Sequence, residues 1–285
     1  MTVLRARAPG KVNLSLYLGP LRERDGKHEL VSVVEPVTLA DWIEIGPARG
    51  DADEVVCHGV DGPNLAAEAL RRFRAAAGWD GAPVRLTIFK QVPVAAGMGG
   101  GSADAAAALR LASRVSGLPV PTGIAEELGA DVPAALHAAP ALMAGAGERL
   151  TPIDPPPLHA FVVLPADAGL STAAVYAEAD RLGLPRSADD LDERRTRLQA
   201  GELTFHNDLE PATRSLHPPT EDALADLGKA GAEHTLVCGS GPTVAGVFPT
   251  LDDAKLGAAA LRERHPKAAA VAPAPAGYAK PRSFA

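Results

Sequence analysis

The chain of 285 residues is acidic, with a formal net charge of -7, and it contains 46% hydrophobic and 22% charged residues. The charge argues against a generic binder of nucleic acid or of anionic membranes, because such proteins need an excess of basic residues. Cys57 and Cys238 lie far apart without a C-x-x-C spacing, so the sequence suggests neither a disulfide framework nor a zinc knuckle. No segment has the apolar length of a signal peptide or a membrane helix, so we expect a cytoplasmic protein.

The first third of the chain is predicted to mix strands with one helix. Alternating apolar and polar residues predict a strand over residues 3–18, broken at Pro9-Gly10, with Lys11 and Asn13 on the same face. Two short strands are predicted at residues 42–45 and 55–58. Asn64 is predicted to cap a helix over residues 65–77, which Gly78 ends.

A glycine-rich loop follows the next predicted strand, at residues 84–89. Its sequence is PVAAGMGGGSADAAAALR, and Ser102 is predicted to cap the helix that continues to about residue 116. Backbone N–H groups of successive glycines, together with the positive end of a helix, form a site suited to a polyphosphate. The lysine of a P-loop is absent before Ser102, and the dinucleotide fingerprint G-x-G-x-x-G is matched only in its first two glycines. A plain tight turn remains the structural alternative.

A proline-rich stretch, TPIDPPP, predicts a boundary between two domains, residues 1–152 and 153–285. The second domain is predicted to be α+β, with a strand near residues 161–164, a helix capped by Ser171, and two strands around the turn GSGPT. The end of the chain, from about residue 268, is of low complexity and is predicted to be loosely held.

Three ordered motifs resemble those of the GHMP kinase family: the N-terminal APGKVNL, the glycine loop and the late turn CGSGPTV. The resemblance covers nearly the whole chain, and it implies a two-lobed α+β fold with the active site in the cleft between the lobes. It also implies an ATP- and Mg²⁺-dependent small-molecule kinase that acts as a monomer or homodimer. PGKVNLSLYL, DGKHELVSVVEPV, GADVP, FHNDLE and STAAVY narrow the resemblance to a member that phosphorylates a cytidine diphosphate-linked polyol in isoprenoid precursor synthesis.

The resemblance assigns roles to particular residues. Lys11 and Asp131 align with the catalytic pair of the family, Asp131 accepting or orienting the proton of the hydroxyl and Lys11 holding Asp131 and offsetting negative charge. Taken without the resemblance, Asp131 is also a good helix N-cap and Lys11 an ordinary surface lysine. The ATP-binding residues are expected to be Pro93, Val94, Ala95, Ala96, Gly97, Met98, Gly99, Gly100, Gly101, Ser102 and Ala103. Ser102 is also a candidate Mg²⁺ ligand. Asp104 could reach the metal through water, or it could simply favour the first turn of the helix.

The acceptor is expected to contact Asn13, Lys27, His28, Tyr176, Gly239 and Ser240. The family usually reads DGYH where this chain has Asp25-Gly26-Lys27-His28, and a lysine stem is a poorer platform for cytosine than a tyrosine ring. This departure leaves open an acceptor of the homoserine or mevalonate type. A non-catalytic nucleotide-binding relative is the third alternative, although Lys11, Asp131 and the glycine loop are all intact.

Overall fold

The computed structural model describes residues 2–60 and 62–283, which form two β-sheets with helices packed on them. The strands are β1 (Leu4–Leu21), β2 (His28–Pro47), β3 (Glu54–Cys57), β4 (Val84–Phe89), β5 (Ala141–Gly145), β6 (Arg149–Pro152), β7 (Ala160–Leu164), β8 (His206–Asn207), β9 (His234–Val237), β10 (Val244–Phe248), β11 (Ala269–Val271) and β12 (Arg282–Ser283). The helices are α1 (Leu65–Ala77), α2 (Gly100–Ser116), α3 (Ile124–Leu128), α4 (Val132–His137), α5 (Thr172–Arg181), α6 (Ala188–Gln199), α7 (Glu210–Leu216), α8 (Pro219–Lys229) and α9 (Leu251–Leu261).

The first sheet has the strand order β12-β1-β2-β4-β3. Its centre is the long antiparallel pair of β1 and β2, and β2 also pairs with β4 at one end and with β5 at the other. The sequence pattern predicted only residues 42–45 of β2, because Glu35, Pro36 and Asp41 interrupt its alternation. Glu35 and Asp41 are nevertheless buried, so tertiary partners rather than local propensity extend this strand.

The helix predicted over residues 65–77 is confirmed as α1. Asn64 accepts a hydrogen bond from the Ala66 amide, and Gly78 ends the helix with a φ of 63°, in the left-handed region. Helix α1 packs against α2, whose many buried alanines allow the two backbones to approach closely. Helix α2 in turn lies against β1 and β2, the central strands of the first sheet.

The second sheet, in the order β11-β7-β10-β9, is built from residues that follow the proline-rich stretch. A single apolar cluster nevertheless joins the two halves, since Val12 and Leu14 of β1 pack in the same core as Phe161 and Val163 of β7. The two halves of the chain, before and after residue 152, thus share one hydrophobic core. The domain boundary between residues 152 and 153 stays a prediction.

Residues 269–283 are not loosely held, contrary to the prediction for the end of the chain. Residues 269–271 form β11, and Arg282–Ser283 pairs with β1. Between them the Tyr278 hydroxyl donates to the Thr38 carbonyl at 2.8 Å, and the Arg7 guanidinium lies 4.2 Å from the centre of the Tyr278 ring. Low complexity concealed this order because the segment is mostly alanine and proline and has few large apolar side chains, whereas backbone pairing and the Tyr278 ring hold it in place.

Strand β1 is buried on both faces, although its alternation predicted one polar face. The polar residues Asn13, Ser15 and Tyr17 are all buried, and the second half of the chain covers Ser15 and Tyr17. The Ser15 hydroxyl donates to the Thr204 carbonyl at 2.5 Å, and the Tyr17 and Thr204 hydroxyls are hydrogen-bonded. The polar face of β1 thus marks a surface between two parts of the chain.

A buried ion pair joins β2 to the start of β7, and it predicts a pH dependence of stability. His159 Nε2 lies 2.7 Å from Glu35 Oε2, and His159 Nδ1 lies 2.6 Å from the Pro157 carbonyl. Burial lowers the pKa of His159, but these hydrogen bonds outweigh burial and raise it above its ordinary value. The pair therefore stabilises the fold fully below the unfolded-state pKa, and this contribution is lost as pH rises through the folded-state pKa.

We expect the free energy of unfolding to decline between about pH 6 and pH 8 relative to that of the variant His159→Gln, which can donate to Glu35 but does not titrate. Urea unfolding of both proteins at several pH values measures this difference. The difference isolates His159 from the other histidines, which titrate in both proteins. Parallel pH dependences would contradict the role given to the pair.

Candidate active site

A cleft of about 500 Å³ lies between the glycine loop, β1, β2 and the late glycine turn. The residues predicted from the sequence that line it are Lys11, Asn13, Pro93, Val94, Ala95, Ala96, Gly97, Gly99, Gly100, Gly101, Ser102, Asp131, Tyr176, Gly239 and Ser240. Lining residues that sequence reasoning did not assign to the site include Leu16, Leu30, Ser32, Cys57, Val60, Pro63, Asn64, Leu65, Lys90, Met143, Leu170, Thr172 and Leu209. The cleft thus gathers both predicted glycine motifs and the predicted catalytic pair.

Four predicted residues do not line this cleft. The side chains of Met98 and Ala103 are buried in the two cores below the loop. Lys27 is exposed in the turn before β2. His28 is buried, with Nδ1 2.8 Å from the Gly19 carbonyl, and its ring lies 5.7 Å from that of Tyr176, so it stands behind the tyrosine.

The glycine loop is the connection between β4 and α2. The helix begins at Gly100, with Gly99 as its N-cap, so the predicted N-cap Ser102 lies inside the first turn. Gly99 has a φ of 66°, a conformation that a serine cap with extended backbone does not adopt. Among the described residues, no side chain caps the amides of this first turn, which directly follow the loop. They are therefore free to donate hydrogen bonds to phosphate oxygens.

Lys11 stands between the two glycine motifs. A Cβ atom at Gly99 would lie 3.3 Å from Lys11 Cε, and one at Gly239 would lie 2.9 Å from Lys11 Nζ. The Lys11 amide also donates to the Met98 carbonyl at 2.9 Å, which fixes β1 against the loop. Glycine at both positions leaves room for the ammonium group at the junction of the loop and the turn.

Asp131 completes this group at the N-terminus of α4. Its Oδ2 lies 3.9 Å from Lys11 Nζ, and Lys11 Nζ lies 2.6 Å from Asn13 Oδ1. Asp131 occupies the N-cap position of α4, but its side chain makes no capping hydrogen bond. The carboxylate lines the cleft and is not used to cap the helix.

Tyr176 of α5 faces the same carboxylate from the other side of the cleft. Burial and the charge of Asp131 raise the pKa of its hydroxyl to about 12, so Tyr176 stays neutral at physiological pH. On the same side of the cleft, the hydroxyl of Ser240 in the late turn lies 3.1 Å from the hydroxyl of Thr172 in α5. An aromatic ring and two hydroxyls thus line the part of the cleft opposite the glycine loop.

A buried ionic cluster supports the glycine loop at both ends. Lys90 Nζ lies 2.5 Å from Asp41 Oδ2 and 2.8 Å from Asp104 Oδ2, while Asp41 Oδ1 accepts the amides of Gln91 and Val92. Burial raises the pKa of Asp104 to about 7 against the opposing charge of Lys90. One lysine thereby joins the start of the loop to Asp104, one turn into α2, and no sequence pattern indicated this connection.

Few side chains of the cleft are suited to hold a metal ion. Within the described ranges, no group of three or more His, Cys, Asp and Glu residues could hold a metal ion. Mg²⁺ in kinases is held largely by substrate phosphates with one or two protein oxygens, and the Ser102 hydroxyl at the cleft suits this arrangement. Asp104 also lines the cleft; its Oδ2 pairs with Lys90 Nζ, whereas its buried Oδ1 has no hydrogen-bond partner in the part of the chain that the structure describes.

The chain matches two family models, that for the GHMP kinases N-terminal domain over residues 64–143 and that for the GHMP kinases C-terminal domain over residues 187–267. It is 41% identical to a 4-diphosphocytidyl-2-C-methyl-D-erythritol kinase of Kineococcus radiotolerans over 84% of this chain and 80% of that protein. It is 40% identical to the kinase of the same name from Streptomyces avermitilis over 95% of this chain and 96% of that protein.

Solved structures give the same fold. A crystal structure of 4-(cytidine 5'-diphospho)-2C-methyl-D-erythritol kinase superposes with a TM-score of 0.78 and 32% identity, covering 94% of this chain and 98% of that one. Homoserine kinase from Cytophaga hutchinsonii has a TM-score of 0.63 at 16% identity, covering 100% of this chain and 98% of that one, and shares the fold alone. In the part of the chain that the structure describes, no helix is long and apolar enough to span a membrane. The family models and the 41% identical relative together show that this chain is a member of the GHMP kinase family.

Proposed function

We propose that the protein transfers the γ-phosphoryl group of ATP to the 2-hydroxyl of 4-diphosphocytidyl-2-C-methyl-D-erythritol, a step in the non-mevalonate synthesis of isoprenoid precursors. The observation that carries the proposal is the meeting of Lys11, Asn13 and Asp131 between the glycine loop and the late glycine turn. The curated relatives named above support the choice of acceptor, since they align with this chain over most of its length.

The donor is proposed to lie along the glycine loop. Kinases of this family use ATP, and the amides of the first turn of α2 would bind its phosphates. Beyond the loop, Cys57, Val60, Pro63 and Leu65 form an apolar end of the cleft suited to a nucleoside base. Ser102 would hold Mg²⁺, which when bound would neutralise charge on the transferred phosphoryl group.

The acceptor is proposed to enter from the side of Tyr176 and Ser240. In phosphoryl transfer the protein mainly positions the two substrates and stabilises charge, because the transition state is loose. Asp131 would accept or orient the proton of the attacking hydroxyl, and Lys11 would offset the developing charge. Tyr176 would support the cytosine, with His28 packed behind its ring.

The test of this function compares acceptors in one assay. With ATP and Mg²⁺ fixed, we expect kcat/KM for the cytidyl acceptor to exceed that for homoserine and for mevalonate by more than about 10³-fold, because a site built for polar groups discriminates strongly against substrates that lack them. Formation of ADP coupled to loss of the acceptor measures each reaction. A preference for homoserine or mevalonate would overturn the proposed acceptor, and no transfer to any alcohol would overturn the proposed chemistry.

A further inference from the structure

The segment Lys11-Val12-Asn13 is framed by two irregularities of β1. The pairing register with β2 shifts between Pro9 and Lys11 and again between Asn13 and Ser15. Such bulges re-aim side chains next to active sites. Ser32 of β2 lies beside the second shift, and its hydroxyl donates to the Ser15 carbonyl at 2.6 Å.

The hydrogen bonds of Ser32 have only one consistent direction. A carbonyl can only accept, so the single hydroxyl proton of Ser32 is used on the Ser15 carbonyl. The Ser32 oxygen then accepts from Asn13 Nδ2 at 2.8 Å, which turns Asn13 Oδ1 towards Lys11 Nζ at 2.6 Å. The orientation of the Asn13 amide is therefore set by Ser32.

The opposite orientation of the amide would be costly. It would place the N–H groups of Asn13 against the ammonium of Lys11, a donor against a donor, and would leave the amide oxygen against Ser32. Asn13 and Ser32 are only 3% and 1% exposed, so bulk water cannot supply the missing partner. Removal of the Ser32 hydroxyl would release this constraint.

We propose that Ser32 is a positioning residue, which fixes the Asn13 amide and through it the Lys11 ammonium beside Asp131. This inference rests on the proposed function, because it gives Lys11 and Asp131 their roles in phosphoryl transfer. Ser32 lines the cleft, but it acts on Lys11 indirectly: Asn13 donates to Ser32, and Lys11 donates to Asn13.

The first test compares two buried serines of neighbouring strands. Ser32→Ala is expected to lower kcat about tenfold or more, with the KM for ATP changed less than about twofold, since displaced catalytic groups affect the transition state more than nucleotide binding. Ser15→Ala is the matched control, because the Ser15 hydroxyl donates to Thr204 while its carbonyl remains for Ser32. Equal losses of kcat in the two variants would overturn the proposal.

A double-mutant cycle tests the route through Asn13. If Ser32 acts through the Asn13 amide, the variant with both Ser32→Ala and Asn13→Ala should have the kcat of Asn13→Ala alone. Losses that simply multiply would overturn the proposal. Should Ser32→Ala fail to fold, the isosteric pair Ser32→Thr and Ser32→Val replaces it, with the threonine expected to retain at least about tenfold more turnover than the valine.

Two further variants separate this inference from the proposed function. Lys11→Met and Asp131→Asn should both remove most of the turnover if the proposed chemistry is right. Retained turnover in both would overturn the proposed roles of these residues. If both are inactive while Ser32→Ala behaves like Ser15→Ala, only the role given to Ser32 is wrong.

Discussion

Replacement of Asp131 by asparagine is expected to lower kcat by two orders of magnitude or more while ATP still binds. The carboxylate is not used to cap α4 and lies 3.9 Å from Lys11 Nζ, so its removal affects the reacting hydroxyl rather than the helix. Asparagine keeps the size of the side chain but is a very weak proton acceptor at neutral pH. Steady-state kinetics with the cytidyl acceptor measure kcat, and calorimetric titration measures nucleotide affinity.

The control for this prediction is Asp252→Asn, at a strongly exposed aspartate that pairs with Lys255 on the surface of α9. This variant should keep the turnover of the unaltered protein, because Asp252 does not line the cleft and an exposed ion pair contributes little to the stability of the fold. Turnover of Asp131→Asn within about tenfold of the unaltered protein would contradict the assignment, since a positioned proton acceptor contributes at least about 10² in rate.

Gly97→Ala is expected to have the largest effect on stability. A Cβ atom at Gly97 would lie 1.8 Å from the Cys238 carbonyl oxygen, and Gly97 has a φ of 75°, in the left-handed region. The glycine loop and the late turn touch here backbone to backbone, so the methyl group would force them apart. We expect a loss of about 2 to 5 kcal/mol in the free energy of unfolding together with a large loss of turnover.

Gly78→Ala is the control that separates two causes of lost stability, the left-handed backbone conformation and the steric clash of the new methyl group with Cys238. Gly78 has a φ of 63°, but a Cβ atom there would meet nothing within 4 Å. Its replacement should cost only about 1 to 2 kcal/mol and leave turnover unchanged, because it ends α1 outside the cleft. Urea unfolding of both variants measures the difference, and equal losses would show that the contact at Cys238 does not constrain the loop.

The sequence was sufficient to predict those parts of the fold that local rules determine. Asn64 and Gly78 delimit α1 because capping and left-handed glycine are local signals, and the alternation of β4 predicts its bounds. Lys11 and Asn13 lie on one face of β1 as their spacing predicts, and their side chains are in contact. The two glycine motifs were recognised because three ordered motifs together are far more specific than one.

Other features depend on partners distant in sequence, which periodicity does not reveal. Helix α4 has six residues, too few for a periodic signal, yet it begins directly after Asp131. The pairing of Lys90 with Asp41 and Asp104 spans up to 49 residues, and the Ser32 hydroxyl reaches β1 17 residues earlier. Helix α2 begins before Ser102 because glycines in the loop adopt a conformation that the capping rule does not consider.

The hydrophobic core shared by β1 and β7 restricts how this protein can be divided. A fragment of residues 1–152 would lose the strands β8 and β12 that pair with β1, and it would expose Val12 and Leu14 to water. An exchange of C-terminal halves between related kinases would likewise join surfaces that did not evolve together. A functional chimera should therefore require that the residues of β1 facing the second sheet be transferred along with the C-terminal half.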